Sequence, residues 1–286
     1  MIRLVECPRD AMQGIKKFIP TAVKAEYINS LLKVGYHTID FGSFVSPKAI
    51  PQMADTKDLV KHLDLRDSPT KLLAIIANER GAIEASEFEE ITYLGYPFSI
   101  SETFQLRNTN STIEESFERV KRIQEICTST KKELVVYISM GFGNPYGDPY
   151  SKEIVENWIE KLSKLDVNIF SLSDTVGVAQ ADTISYLFDN LIPSFPGIEF
   201  GAHLHTAPHN WKEKIDCAFE HDCRRFDTAI FGYGGCPMAK DDLIGNMPTE
   251  HFVNYFGTKT IGNNFNIDAF ENSLRIAKKV FSLSKF

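Results

Sequence analysis

The chain has 286 residues, 43% hydrophobic and 24% charged; that balance is ordinary for a soluble globular protein, and the length suits one closed barrel, which commonly needs about 250 residues. A net charge of −7, with no basic cluster longer than pairs such as Lys16-Lys17 and Arg224-Arg225, argues against a nucleic-acid binder. No stretch approaches the roughly 20 apolar residues of a membrane span, and MIRLVECPRD opens on a strand-like run without a signal core or transit-type leader, so neither a membrane nor an organelle form is expected.

Short apolar runs then alternate with longer amphipathic segments. The candidate strands are Leu4–Cys7, His37–Phe41, Lys71–Ala77, Pro97–Ser101, Glu133–Ser139, Ile169–Ser173, Glu199–His203 and Phe226–Phe231, eight in all. Most are rich in Val, Ile and Phe, as buried parallel strands tend to be. Between them, Thr21–Lys33 carries Val23, Tyr27, Leu31 and Leu32 on one helical stripe, and Thr112–Thr128 opens on a capping box with Thr112 as N-cap. Ser151–Leu165, Ala181–Leu191 and Trp211–His221 are further helical segments. This alternation predicts an α/β fold, a parallel (β/α)8 barrel over about 1–232, with an open doubly wound sheet as the alternative. After a glycine-rich loop beginning at Gly232, Pro248–Phe256 and Ile267–Leu283 read as C-terminal helices that cap or close the barrel, so that 1–286 forms one domain.

In such barrels the active site is built at the C-terminal ends of the strands. Those ends carry Arg9 and Asp10 after the first strand, Asp40 on the second, Asp174 after the sixth, and His203 with His205 at the seventh. Two histidines at i and i+2 on a strand face the same way and can share one ion. With Asp10 and Asn246 they make a mixed nitrogen and oxygen set, suited to Mg²⁺ or Mn²⁺ with open water positions. Arg9 is a fixed cation for a developing oxyanion. Five cysteines, odd in number and not spaced as a disulfide framework, fit a reducing cytosol. Cys236 stands among glycines that allow close approach to a ligand or movement as a lid. Cys7, Cys127, Cys217 and Cys223 read as small buried hydrophobes.

The segments Glu6–Gln13, Ser43–Met53, Ser111–Phe117, Ser173–Gly177, His203–His205 and Gly234–Ala239 with Gly245-Asn246 together resemble the 3-hydroxy-3-methylglutaryl-CoA lyases, metal-dependent lyases on this barrel. The resemblance implies retro-aldol cleavage of that thioester to acetyl-CoA and acetoacetate, a step of leucine degradation and ketone-body metabolism. It implies Asp10, His203, His205 and Asn246 as ligands of Mg²⁺ or Mn²⁺, and Arg9, Cys236, Asp40, Asp174 and Glu250 as catalytic residues. Gln13, Ser43, Ser46 and Lys48 would border the acyl-CoA, and the protein would work as a cytoplasmic homodimer without nucleic-acid or membrane partners. The chain departs from the family pattern at Cys7 and Ala11, where glycines are usual, at Met12, at Asp40 in place of a glutamate, and over Thr206–His209. Those changes leave open a different 3-hydroxyacyl-CoA or 2-oxo acid, a Claisen-type condensation, or a barrel that binds metal or acyl-CoA without turnover. Synthases of the condensing kind usually carry a further C-terminal region, and the chain ends at Phe286, which disfavours them.

Overall fold

Strands with no polar face to offer solvent must be covered on both sides, and closing them into a ring also removes the edges. In the computed structural model, which describes residues 1–235, 244–262 and 264–282, eight strands close into a parallel barrel. They are β1 (Arg3–Glu6), β2 (Thr38–Ser43), β3 (Lys71–Ile75), β4 (Ile91–Ser99), β5 (Glu133–Ser139), β6 (Ile169–Ser173), β7 (Glu199–His203) and β9 (Arg225–Thr228), and the ring closes where β9 pairs with β1. Six of the eight expected strands match to within two residues, whereas β9 ends three residues before the expected Phe231 and β4 begins six residues before the expected Pro97.

The helices between them pack outward. Helix α6 (Ile113–Thr130) starts at Thr112 with a complete capping box: the Thr112 hydroxyl accepts from the Glu115 backbone N–H at 3.1 Å, and the Thr112 N–H donates to Glu115 Oε2 at 2.8 Å. Helix α12 (Ile267–Ser282) lies along α2 (Thr21–Leu31), where Tyr27 and Phe281 meet edge to face. Among the described residues seven short helical pieces were not expected, including α1 (Pro8–Gln13), α4 (Glu79–Ser86) and α5 (Glu102–Thr109). Arg9 and Asp10 therefore sit on a helical turn rather than an open loop. The turn is favoured because Pro8 occupies the first helical position, where a missing N–H costs nothing.

Outside the barrel the core is one large apolar cluster; inside it Leu73, Tyr93, Val135, Tyr137 and Ile169 form a second, smaller one. Arg225 shares that interior and fits because Gly201 faces it: a Cβ there would lie 2.9 Å from Arg225 Cδ. A two-stranded ribbon, β8 (His205–Thr206) with β10 (Gly245–Asn246), stands at the C-terminal rim. Among the described residues, no helix is long and apolar enough to cross a membrane.

Candidate active site

A cavity of about 490 Å³ opens at the C-terminal ends of the strands, with Arg9, Asp10, Asp40, His203 and His205 in its wall. Each arrives there for a local reason. The α1 turn projects Arg9 and Asp10 together, and Gln13, one turn on, reaches both. Gln13 Nε2 donates to Asp10 Oδ1 at 2.6 Å, and Arg9 Nη1 donates to Gln13 Oε1 at 2.8 Å. His203 ends β7 and His205 begins β8. Antiparallel pairing of Asn246 with His205 then carries the amide to the same spot from 236 residues away in sequence from Asp10.

Asp10, His203 and His205 hold their ligand atoms within 4.8 Å of one another. The Asn246 amide nitrogen donates to Asp10 Oδ2 at 2.6 Å and to the Tyr233 carbonyl at 2.9 Å, which leaves its Oδ1 as the ligand-type atom. The glycine-rich loop presses on this group. A Cβ at Gly234, where φ is +99°, would fall 2.6 Å from Asn246 Nδ2 and 2.9 Å from the Asp10 carbonyl oxygen. One carboxylate, two imidazoles and one amide in a polar, buried pocket fit a divalent cation with mixed nitrogen and oxygen ligands.

The charges agree with that reading. Burial alone would raise the Asp10 carboxyl, but Arg9, His203 and His205 beside it bring it below its ordinary range. Burial and the neighbouring His203 push His205 down to about 3, so it is neutral and able to ligate. His203 is shifted the other way: burial would lower it, but Asp227 and Asp10 raise it. Arg9 is gripped by Asp40 through Nε at 3.0 Å and Nη2 at 2.6 Å, a forked pair that keeps it charged although burial opposes this. Burial outweighs the same pairing at Asp40, whose carboxyl rises to about 6.

The remaining residues named from the sequence divide. Ser43 and Ser46 lie in the cavity wall. Lys48 is exposed on the segment after β2 and is not part of that wall. Gln13 lines the wall, with its amide engaged by Arg9 and Asp10. Asp174 is buried behind the wall, where it accepts from Lys214 Nζ at 2.6 Å and from the Ala179 N–H at 2.9 Å. Lys214 also donates to the His205 carbonyl at 2.9 Å, so the pair steadies the histidine segment from behind. Glu250 accepts from the Phe231 N–H at 2.9 Å and holds the turn after β9, away from the cavity. Cys236 lies outside the described residues.

Sequence reasoning missed Asp227. It lies in β9, in register with His203, and its Oδ2 stands 3.1 Å from His203 Nδ1. An Nδ1–H donated to Asp227 leaves Nε2 to face Asp10 and His205, the arrangement in which an outer carboxylate orients a ligating imidazole. The available signal was an acidic residue within the expected strand Phe226–Phe231, two places from Arg225 and so on the same face. Tyr137, edge-on to the His203 ring at 5.9 Å, was missed as well.

Comparison with known proteins identifies the family. The HMGL-like family model matches residues 3–276. Mouse mitochondrial hydroxymethylglutaryl-CoA lyase is 30% identical over 255 residues, 88% of this chain and 77% of that protein. A Bacillus subtilis hydroxymethylglutaryl-CoA lyase is 30% identical over 86% of this chain and 81% of its own length. The structure of an HMG-CoA lyase from Acinetobacter baumannii, in complex with coenzyme A and 3-methylmalate, superposes with a TM-score of 0.90 at 29% identity, covering 99% of this chain and 92% of that one. With the family model spanning nearly the whole sequence, and relatives at this identity over most of their length, the chain belongs to the HMGL-like family.

Proposed function

We propose that the protein is a carbon–carbon lyase that cleaves 3-hydroxy-3-methylglutaryl-CoA to acetyl-CoA and acetoacetate, with a divalent cation of the Mg²⁺ or Mn²⁺ class held by Asp10, His203, His205 and Asn246. One observation carries this reading: Arg9 and the ligand cluster face the same cavity and meet through Asp10, whose Oδ1 lies 3.2 Å from Arg9 Nη1. A fixed cation thus stands beside a site for a hard ion, the pairing that a retro-aldol cleavage of a thioester requires. Named relatives with the same fold and family membership support the choice of substrate.

When bound, the cation supplies Lewis-acid activation of the substrate 3-hydroxyl and carboxylate. The hydroxyl proton passes to solvent in the cavity, C3 becomes the ketone carbon of acetoacetate as the C2–C3 bond breaks, and the electron pair of that bond passes into the thioester as an enolate. Arg9, kept charged by Asp40, stabilises that enolate oxygen from the cavity wall. The C2 carbon then takes a proton, for which Cys236 is the candidate donor. Asp40, committed to Arg9, and Asp174, committed to Lys214, act in this reading by orienting their partners. Glu250 does so through the turn that leads into the loop. Ser43 and Ser46 border the acyl chain, and Lys48 meets the more distant part of the thioester from outside the wall. The unit of function is the single barrel, as a cytoplasmic homodimer acting on a small acyl-CoA.

The test is acetoacetate and acetyl-CoA release from 3-hydroxy-3-methylglutaryl-CoA with Mg²⁺, with Mn²⁺ and with chelator. Metal-dependent release of both products is expected. Cleavage of a different 3-hydroxyacyl thioester in its place would reassign the substrate, and silence on every thioester would sink the lyase reading.

A further inference from the structure

His203 belongs to two groups of metal-competent side chains. Besides the Asp10–His203–His205 cluster, Cys7, His203 and Asp227 hold a thiol, an imidazole and a carboxylate within 4.8 Å of one another. Neighbouring strands fix this second group. Asp227 on β9 is in register with His203 on β7 and with Val5 on β1, and Cys7 follows β1 directly. Cys7 and Asp227 are buried.

Asp227 is not fully satisfied where it stands. Its Oδ2 faces His203 and accepts from Ser171 Oγ at 3.3 Å, whereas Oδ1 is buried and has no hydrogen-bond partner. A buried carboxylate oxygen left alone is costly, and such atoms call for an explanation. The surroundings favour a cation: the carboxylates of Asp227, Asp40 and Asp10 all act on Cys7. The spacing also fits. A nitrogen and an oxygen bound tetrahedrally to zinc, each about 2.0–2.2 Å from it, stand roughly 3.3–3.5 Å apart. His203 Nδ1 and Asp227 Oδ2 are 3.1 Å apart, so a shift of a few tenths of an ångström would admit an ion between them.

We propose that Cys7, His203 and Asp227 form a second metal position, suited to a thiophilic divalent ion such as Zn²⁺ or Co²⁺, which competes with the first position for His203. A sulfur, nitrogen and oxygen set selects softer ions, whereas Mg²⁺ and Mn²⁺ favour the set with more oxygen. As the ion binds, the Cys7 thiol releases its proton to solvent and its sulfur becomes the ligand, with no electron transferred. The two positions exclude each other because a neutral imidazole has one lone-pair nitrogen.

The test is a Co²⁺ titration of metal-free protein, followed by thiolate-to-cobalt charge-transfer absorption in the near ultraviolet. Wild type is expected to develop the band. Cys7→Ala and the size-matched Cys7→Ser lose it while still binding Mn²⁺, which shows that they are folded. Cys236→Ala keeps the band, and saturating Mn²⁺ suppresses it in wild type. The proposal is overturned by no band in wild type, by a band that survives both Cys7 variants, or by one lost in Cys236→Ala. A band that persists under saturating Mn²⁺ overturns the competition for His203. The Mn²⁺ arms rest on the first metal position proposed above, but turnover plays no part in the readout, so failure of this proposal is distinguishable from failure of the cleavage.

Discussion

Arg9 can act on a developing oxyanion because Asp40 grips it from one side and Asp10 from the other, so its guanidinium is charged and fixed before substrate arrives. Arg9→Met removes that charge and the 3.2 Å contact to Asp10 Oδ1 but leaves all four proposed metal ligands in place. It should cut kcat by about 10²–10³-fold, the usual cost of a lost oxyanion donor. Mn²⁺ affinity measured by calorimetry should stay within about ten-fold of wild type, and loss of metal binding in this variant would contradict the separation of roles. Arg9→Lys tests the fork itself: a point charge cannot hold both Asp40 contacts, so its kcat should resemble that of the Met variant more than wild type. Asp227 acts on the ion through His203. Asp227→Asn should weaken Mn²⁺ binding by about 10–100-fold, and an unchanged affinity would show that His203 needs no orientation. The four candidate ligand positions were named from sequence on different signals: strand-end position and spacing for Asp10, His203 and His205, and the family resemblance for Asn246. Asp227 could not be, since one acid within a strand becomes meaningful only when the ring closes and brings β9 beside β7. Asp174 and Glu250 show the reverse limit: sequence marks them as acids near the site, but only packing reveals that Lys214 and the Phe231 backbone take up their oxygens.

At the scale of elements, Glu6 joins the end of β1 to the far end of the chain. Its carboxyl meets the Ile230 N–H at 2.9 Å and the Thr249 hydroxyl at 2.6 Å, at the start of α10 (Thr249–Phe256). Burial lifts its pKa from 4.5 to about 8. The native protein therefore keeps a proton there through neutral pH while the unfolded chain has lost it. Stability from this group is present below the unfolded value and falls as pH rises toward the native one. Thermal melts between about pH 5 and 9 should show a decline in wild type that is flattened in Glu6→Gln, which stays neutral at every pH. Equal slopes in the two proteins would remove Glu6 as the cause. Most elements were legible because buried parallel strands and amphipathic helices leave strong patterns. The exceptions have identifiable causes. Gly95 and Pro97 interrupt the strand pattern of β4, yet Gly95 is needed there, since a Cβ would lie 2.6 Å from Ile75 Cδ1 and 3.1 Å from Tyr137 Cε2. Helices α4 and α5, eight residues each, are too short for periodicity to show. They are set by caps instead, with Asn78 accepting from the Gly81 N–H at 2.9 Å and Ser101 from the Phe104 N–H at 3.2 Å.

For the whole molecule, the candidate metal site is also a clasp. Asp10 follows the first strand, His203 and His205 come from the seventh barrel strand and the ribbon, and Asn246 lies beyond the last barrel strand. An ion held by all four ties the beginning of the barrel to its end, where β9 and β1 close the ring. The unfolded chain cannot gather ligands 236 residues apart, so the ion binds the native state almost exclusively and its binding energy appears as stability. At a free concentration of about 100 times Kd that stabilisation is about 2.7 kcal/mol. For a chain of this size it amounts to about 5 °C in Tm. Mn²⁺ at saturation should therefore raise the melting temperature by about that amount over protein in chelator. His205→Ala should show one melting temperature in both conditions, because it has lost a ligand from the centre of the clasp. Ser46→Ala, in the same cavity but away from the ligands, should keep the full increment. Identical melting of wild type with and without the ion would mean that these side chains do not close around a cation, and the proposed metal dependence would fall with the clasp.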